Sequence, residues 1–250
     1  MPLVQEIVCA GVDGAVVDGA QPATEPSFSE SGVRRKAQEM ERVQVIQKIE
    51  DSRVIVILRH ACEQFVEEHL PVLMESGLAV IEVSLTADNY AGCFGKLVKR
   101  YGDQLVIGTG TVFSREQAQR ALDNGASFLI SPHFNERLAE FIIGNGIPYI
   151  AGCLTPTEVA GAVEAGVDAV KIFPAYLGGP RYIAALRAPF PDVRFVPTGG
   201  VAPGDAPAYW QAGAWAVAIG SEMGALMRQP DAAATLKQLF SHERHDQTSN

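Results

Sequence analysis

A lysine and a glutamate sit inside segments otherwise built from apolar and β-branched residues. They are Lys171 in Ala169-Val170-Lys171-Ile172-Phe173 and Glu82 in Val80-Ile81-Glu82-Val83-Ser84-Leu85. Side chains alternate along a strand, so Val170 and Ile172 share one face while Lys171 takes the other. The same rule sets Ile81, Val83 and Leu85 opposite Glu82 and Ser84. Where both faces of a strand are buried, a lysine is almost never found without a partner or a task. Desolvation disfavours an ammonium and favours the neutral amine, the nucleophile that attacks a ketone to form a Schiff base. A carboxylate beside such an adduct can accept and return protons. A buried ion pair between Glu82 and Lys171 is the alternative, and alternation alone leaves both open.

Other candidates stand at the ends of such runs. Arg59 closes Val54 to Arg59, where a guanidinium can grip a carboxylate with two parallel hydrogen bonds or simply face solvent. Thr111 ends the turn Gly108-Thr109-Gly110-Thr111, as a ligand or as a cap. Thr198-Gly199-Gly200 and Gly220-Ser221 are glycine loops whose backbone N–H groups could approach a phosphate at a helix start.

These positions need a scaffold, and the chain supplies an alternation of short β-branched runs with longer amphipathic ones, the mark of repeated βα units and a parallel sheet. Eight strands are expected: Val54 to Arg59, Val80 to Leu85, Leu105 to Gly108, Phe128 to Ser131, Tyr149 to Gly152, Ala169 to Phe173, Arg194 to Pro197 and Ala216 to Gly220. Glycines placed to cap the intervening helices recur at Gly77, Gly102, Gly125, Gly146, Gly166 and Gly213. Ser114-Arg115-Glu116-Gln117 and Thr155-Pro156-Thr157-Glu158 read as capping boxes. Eight near-equal units close as a (βα)8 barrel, an α/β fold of the TIM type, with an open α/β sheet as the alternative. Arg59, Thr111 and the glycine loops then fall at the C-terminal strand ends, where barrel active sites assemble, the loops following strands seven and eight. A helix over Glu39 to Glu50 is expected to cover the barrel bottom.

Composition agrees with one sizeable core: 250 residues, 47% hydrophobic and 20% charged. A net charge of −9 argues against a nucleic-acid surface, which needs a basic stripe. Four scattered cysteines, Cys9, Cys62, Cys93 and Cys153, show no zinc spacing and fit reduced thiols. No apolar run is long enough for a membrane span and no export signal is visible, so a cytoplasmic protein is expected. The expected divisions are an extension over residues 1–38 that breaks every periodicity and is poorly ordered, a barrel over 39–240, and a polar tail over 241–250.

Five segments, in order, resemble the family of 2-keto-3-deoxy-6-phosphogluconate (KDPG) and 4-hydroxy-2-oxoglutarate (KHG) aldolases, over roughly Val43 to Met227. They are Gly77-Leu78-Ala79-Val80-Ile81-Glu82-Val83-Ser84-Leu85-Thr86, Gly108-Thr109-Gly110-Thr111-Val112, Ile130-Ser131-Pro132-His133, Gly166-Val167-Asp168-Ala169-Val170-Lys171-Ile172-Phe173-Pro174-Ala175 and Val196-Pro197-Thr198-Gly199-Gly200-Val201. The resemblance implies a (βα)8 barrel, a homotrimer, and a metal-independent class I aldolase needing no cofactor, in which Lys171 forms the Schiff base and Glu82 carries protons. It also implies that Arg59 and Thr111 hold the pyruvate carboxylate. Pro132, Phe173 and Thr198 shape the electrophile pocket, and Gly199, Gly200, Gly220 and Ser221 make the phosphate site. Many members have Thr then Arg where this chain has Ser84 and Thr86; the chain is similar to a subset that uses the arginine ending strand one, here Arg59.

The expected reaction is reversible cleavage of 2-dehydro-3-deoxy-6-phosphogluconate to pyruvate and glyceraldehyde 3-phosphate. The same chemistry on the galactonate epimer or on 4-hydroxy-2-oxoglutarate is the near alternative. A phosphate-binding isomerase or epimerase without a covalent adduct, and a barrel kept as a binding protein, are the alternatives of other classes.

Overall fold

Each expected apolar run needs ladder partners on both sides, and a ring of eight parallel strands supplies them without exposing a sheet edge. The structure, a computed structural model, describes residues 42–60, 63–88 and 90–241. Its strands are β1 (Val54–His60), β2 (Val80–Asp88), β3 (Val106–Gly110), β4 (Leu129–Ile130), β5 (Tyr149–Cys153), β6 (Ala169–Ile172), β7 (Phe195–Pro197) and β8 (Val217–Ile219). All pair in parallel in the order β7-β6-β5-β4-β3-β2-β1-β8. A single parallel bridge between Thr198 and Ala218 joins the two ends of that order and closes the barrel. The expected extension over residues 1–38 lies outside the described residues, as does the expected tail beyond Ser241.

Parity along the strands divides the core in two. Val56, Leu58, Ile81, Val83, Val170 and Ile172 join the layer between strands and helices. Ile55, Ile57, Val80, Ile150, Ala169 and Val196 fill the barrel. The floor is a helix, Arg42–Ser52, whose Val45 and Ile49 complete the inner cluster; it was expected over Glu39 to Glu50, and residues 39–41 fall outside the described residues. Asp168 fastens it, accepting from Arg42 Nε and pairing with its guanidinium at 2.8 Å. The other oxygen of Asp168 accepts from the Tyr149 backbone N–H.

The helix-end reading is largely met. Gly77, Gly125, Gly146, Gly166 and Gly213 all adopt positive φ, but Gly102 does not. There, in a turn just past the helix Tyr90–Tyr101, the Gly102 N–H bonds Val98 O at 2.8 Å, and a Cβ would meet the same carbonyl oxygen at 2.5 Å. Gly102 is thus required by close packing rather than by a left-handed cap. Thr155 and Glu158 form the full reciprocal box. Ser114 caps Gln117, whose side chain instead accepts from the Phe113 N–H at 2.7 Å, leaving that box half made. Among the described residues no helix is long and apolar enough to cross a membrane.

β2 departs most from expectation, running past Leu85 to Asp88. Its register against β1 jumps, with Leu58 opposite Val83 but His60 opposite Asp88. The extra residues of β2 form an excursion facing Arg59, the kind of irregularity that re-aims side chains at a barrel rim.

Candidate active site

Continuing the inward parity upward from the apolar plug gives the layer nearest the C-terminal mouth. Arg59 follows Ile57, Glu82 follows Val80, Lys171 follows Ala169 and Thr198 follows Val196, while Pro132 lies two residues beyond Ile130. The same parity gives glycines on β3 at Gly108 and Gly110, on β5 at Gly152 and just past β8 at Gly220, with Gly108 opposite Glu82 and Gly152 opposite Lys171. These positions carry no side chain, so large polar groups from neighbouring strands can occupy space that a packed barrel would fill.

Gly110 shows the consequence most sharply. A Cβ there would lie 1.6 Å from Glu82 Oε1 and 2.3 Å from its Cδ, so the carboxyl occupies that place. Glu82 is 1% exposed, and its Oε2 is buried without a hydrogen-bond partner among the described residues. A buried carboxyl oxygen with no protein partner is costly, and such groups are kept where function uses them. Gly152 acts similarly for the Pro132 segment, since a Cβ would fall 2.2 Å from the Pro132 carbonyl carbon. Gly152 lies directly beside Lys171 in the ladder.

Lys171 is 5% exposed. Its Nζ stands 5.2 Å from the Phe173 ring centroid, a cation–π approach. Among the described residues no carboxylate comes within the 4.0 Å of an ion pair. The buried Lys171–Glu82 ion pair, left open by sequence, is therefore not formed. The two groups hang from β6 and β2, held apart by the ring of strands.

Arg59, by contrast, is exposed at the rim, its Nε 3.7 Å from the place a Gly220 Cβ would take. Below it lies a group that sequence reasoning did not assemble. Ser84 Oγ stands 2.8 Å from both Thr86 Oγ1 and Thr111 Oγ1. Ser84 was placed inward but given no role, and Thr86 was read only as a missing arginine. Thr111 holds this position with φ 64, unusual for a β-branched residue. Strain of that kind persists where surrounding structure fixes it and often marks a site.

Thr198 is buried, its hydroxyl donating to Val196 O at 3.1 Å and its N–H to Ile172 O at 2.9 Å. Gly199 and Gly200 follow with φ 89 and 68. Phe173 packs 3.1 Å from the place of a Gly199 Cβ, a tight contact, and Tyr176 lies 2.9 Å from that of Gly200, a clash, so side chains there would be crowded as well as strained. Gly220 precedes the helix Ser221–Met227, with Ser221 exposed and Glu222 also in its first turn. Ser131 Oγ donates to the His133 carbonyl and meets Tyr149 OH at 2.6 Å. Burial pushes the Tyr149 phenol up to about 12 despite the bond to Ser131. Tyr90 is likewise raised by burial and bonds Thr109 on the helix side; both phenols serve as structural braces. Among the described residues no three His, Cys, Asp or Glu side chains could jointly hold a metal.

A barrel whose mouth sets an amine, a carboxylate and glycine loops around a gap suits covalent chemistry on a small anionic carbonyl compound. Residues 45–238 match the KDPG and KHG aldolase family, and the chain belongs to it. It is similar to the 2-dehydro-3-deoxy-6-phosphogalactonate aldolase of Escherichia coli, 32% identical over 68% of this chain and 83% of that protein. A 2-dehydro-3-deoxy-phosphogluconate aldolase of Treponema pallidum is 37% identical over 64% of this chain and 76% of its own. The KDPG aldolase of Legionella pneumophila, solved with pyruvate captured as a covalent carbinolamine intermediate, superposes with a TM-score of 0.67 at 25% identity, over 79% of this chain and 95% of that one. The protein is an aldolase of the class I pyruvate type.

Proposed function

We propose that the protein cleaves 2-dehydro-3-deoxy-6-phosphogluconate reversibly to pyruvate and glyceraldehyde 3-phosphate through a Schiff base on Lys171. The observation that carries this is a buried lysine with no carboxylate in ion-pair range, in a family with a captured pyruvate carbinolamine. The Lys171 amine adds to the C2 ketone, and loss of water gives an iminium. The C4 hydroxyl gives up its proton as the C3–C4 bond breaks, its electrons passing to the iminium to form an enamine. The aldehyde leaves, C3 takes a proton, and water releases pyruvate. Glu82 is the group that moves these protons, its buried oxygen without a partner being the supporting feature.

In this reading Arg59 and Thr111 hold the carboxylate, with Ser84 and Thr86 adding hydroxyls where many members have Thr and then Arg. Pro132, Phe173 and Thr198 bound the electrophile, and Gly199, Gly200, Gly220 and Ser221 receive the phosphate through backbone N–H groups. The enzyme works as a cytoplasmic homotrimer in the Entner–Doudoroff pathway and needs no added cofactor. The galactonate epimer is the second substrate reading, supported by the Escherichia coli relative.

Incubation with pyruvate and borohydride, followed by mass spectrometry, tests the chemistry. A reduced adduct is expected on Lys171 and is expected to vanish in Lys171→Ala. An adduct that persists in that variant would remove Lys171 from its role, and none in the parent would remove the aldolase mechanism. Parallel turnover of both phosphorylated epimers and 4-hydroxy-2-oxoglutarate ranks the substrates, and light scattering checks the trimer.

A further inference from the structure

At the opposite end of the barrel, among residues that precede strands, lies a cavity of about 350 Å³. That volume suits a small metabolite. Its charged walls are Arg53, Arg187 and Arg194 against Glu50 and Asp192, an excess of one positive charge in a chain whose net charge is −9. Arg187 and Arg194 are held by groups that do not neutralise them. Arg187 donates to the Gly213 and Pro191 carbonyl oxygens at 3.2 and 3.3 Å. It lies across Gly213, where a Cβ would meet its Cδ at 2.3 Å. Arg194 sits over the Trp215 ring at 5.5 Å and Arg53 over Trp210 at 4.9 Å. Among the described residues neither Arg187 nor Arg194 has a carboxylate within 4.0 Å.

Two further features point the same way. The indole N–H groups of Trp210 and Trp215, whose rings line the cavity, are buried without an acceptor among the described residues. Arg53 ends the floor helix at φ 53, a conformation glycine would adopt more cheaply. An arginine accepted there places its guanidinium against the Trp210 ring, beside the other two.

We propose that this cavity binds a small metabolite carrying at least two anionic groups, carboxylate or phosphate, held by Arg187 and Arg194 with Arg53 at its edge. Guanidinium groups whose donors are fixed by carbonyls and ring faces are preorganised for planar anionic oxygens. The site is separate from the mouth that contains Lys171 and does not depend on the substrate assignment.

The chain has two tryptophans, and both line this cavity, so intrinsic tryptophan fluorescence reports on it alone. The full chain is titrated with citrate and separately with inorganic pyrophosphate, sodium chloride holding ionic strength constant. The expected result is a saturable change with at least one of them, present equally in Lys171→Ala. In Arg194→Gln, and separately in Arg187→Gln, it should weaken by about 10-fold or more. Arg194 is exposed, so Arg194→Gln should fold normally, and a thermal melt of each variant checks this. Citrate binding assigns carboxylate chemistry and pyrophosphate binding phosphate chemistry. No saturable change with either anion, unaltered affinity in a folded Arg194→Gln, or a change that tracks protein rather than anion concentration would overturn the proposal.

Discussion

Replacing Gly110 by alanine should disable the site while leaving the barrel standing. The new Cβ would fall 1.6 Å from Glu82 Oε1, whereas real Cβ contacts essentially never come below 3.0 Å, so the oxygen must retreat by at least 1.4 Å. The obstructing atoms, Oε1, Cδ and Cγ, all belong to the Glu82 side chain, so that side chain must move as a whole while the backbone can stay. An overpacking cost of about 1–3 kcal/mol is expected, tolerable for a folded domain. Function should suffer more, because a displacement of about 1 Å in a reacting group can cost about 100-fold in rate. That is about 2.7 kcal/mol of lost transition-state stabilisation. The assay is kcat for aldol cleavage, with exchange of pyruvate methyl protons in deuterated water as an independent readout of proton transfer. Gly144→Ala is the control, since a Cβ there meets nothing within 4 Å, and its kcat should match the parent's. A folded Gly110→Ala enzyme retaining kcat within about threefold of the parent would refute the assignment of Glu82 as proton carrier.

Three other outcomes follow from the structure. Ile49→Ala removes a fully buried side chain from the barrel plug and should cost about 2–5 kcal/mol in denaturant unfolding. Glu158 is held below the usual carboxylate range by the Leu154 and Thr155 backbone N–H groups, with the Thr155 hydroxyl assisting. A lowered folded value means its stabilisation is complete above the ordinary carboxylate value and fades as pH falls through the folded one. The stability gap between the parent and Glu158→Gln should therefore be constant near neutrality and close in acid; a gap that widened in acid would contradict the cap. Burial, with a smaller contribution from Glu158, pushes the Cys153 thiol up to about 12. In a chain with Cys9, Cys62 and Cys93 changed to serine, alkylation at pH 8 should be far slower folded than unfolded. A raised folded value further implies stability that is complete below the free thiol's value and erodes as pH climbs from there through about 12.

How much could be read in advance depended on the range of the signal. Alternation is a two-residue rule, so the inward positions of Lys171 and Glu82 were legible from β6 and β2 alone, as was the helix-facing set around them. Whether the two groups paired was not legible, because that depends on the span of the ring between β2 and β6. The hydroxyl cluster of Ser84, Thr86 and Thr111 was not legible because it needs Ser84 set opposite Gly110 across the β2–β3 ladder and a positive φ at Thr111, which no local pattern announces. Gly102 was misread for the opposite reason: its spacing matched the other caps, but its local packing against Val98 O did not. The far cavity draws Arg53, Arg187 and Arg194 from three distant parts of the chain, each looking like an ordinary surface arginine where it stands.

The seam between β7 and β8 rests on the one bridge from Thr198 to Ala218, with the Trp215 N–H donating to Phe195 O below it. β1 and β2 by contrast share a ladder of several residues. In a closed ring of strands the thinnest join is where local opening costs least. Here that join lies between the glycine loops after strands seven and eight. Local opening of the barrel is therefore expected to start at this seam, while the other seven joins keep their register.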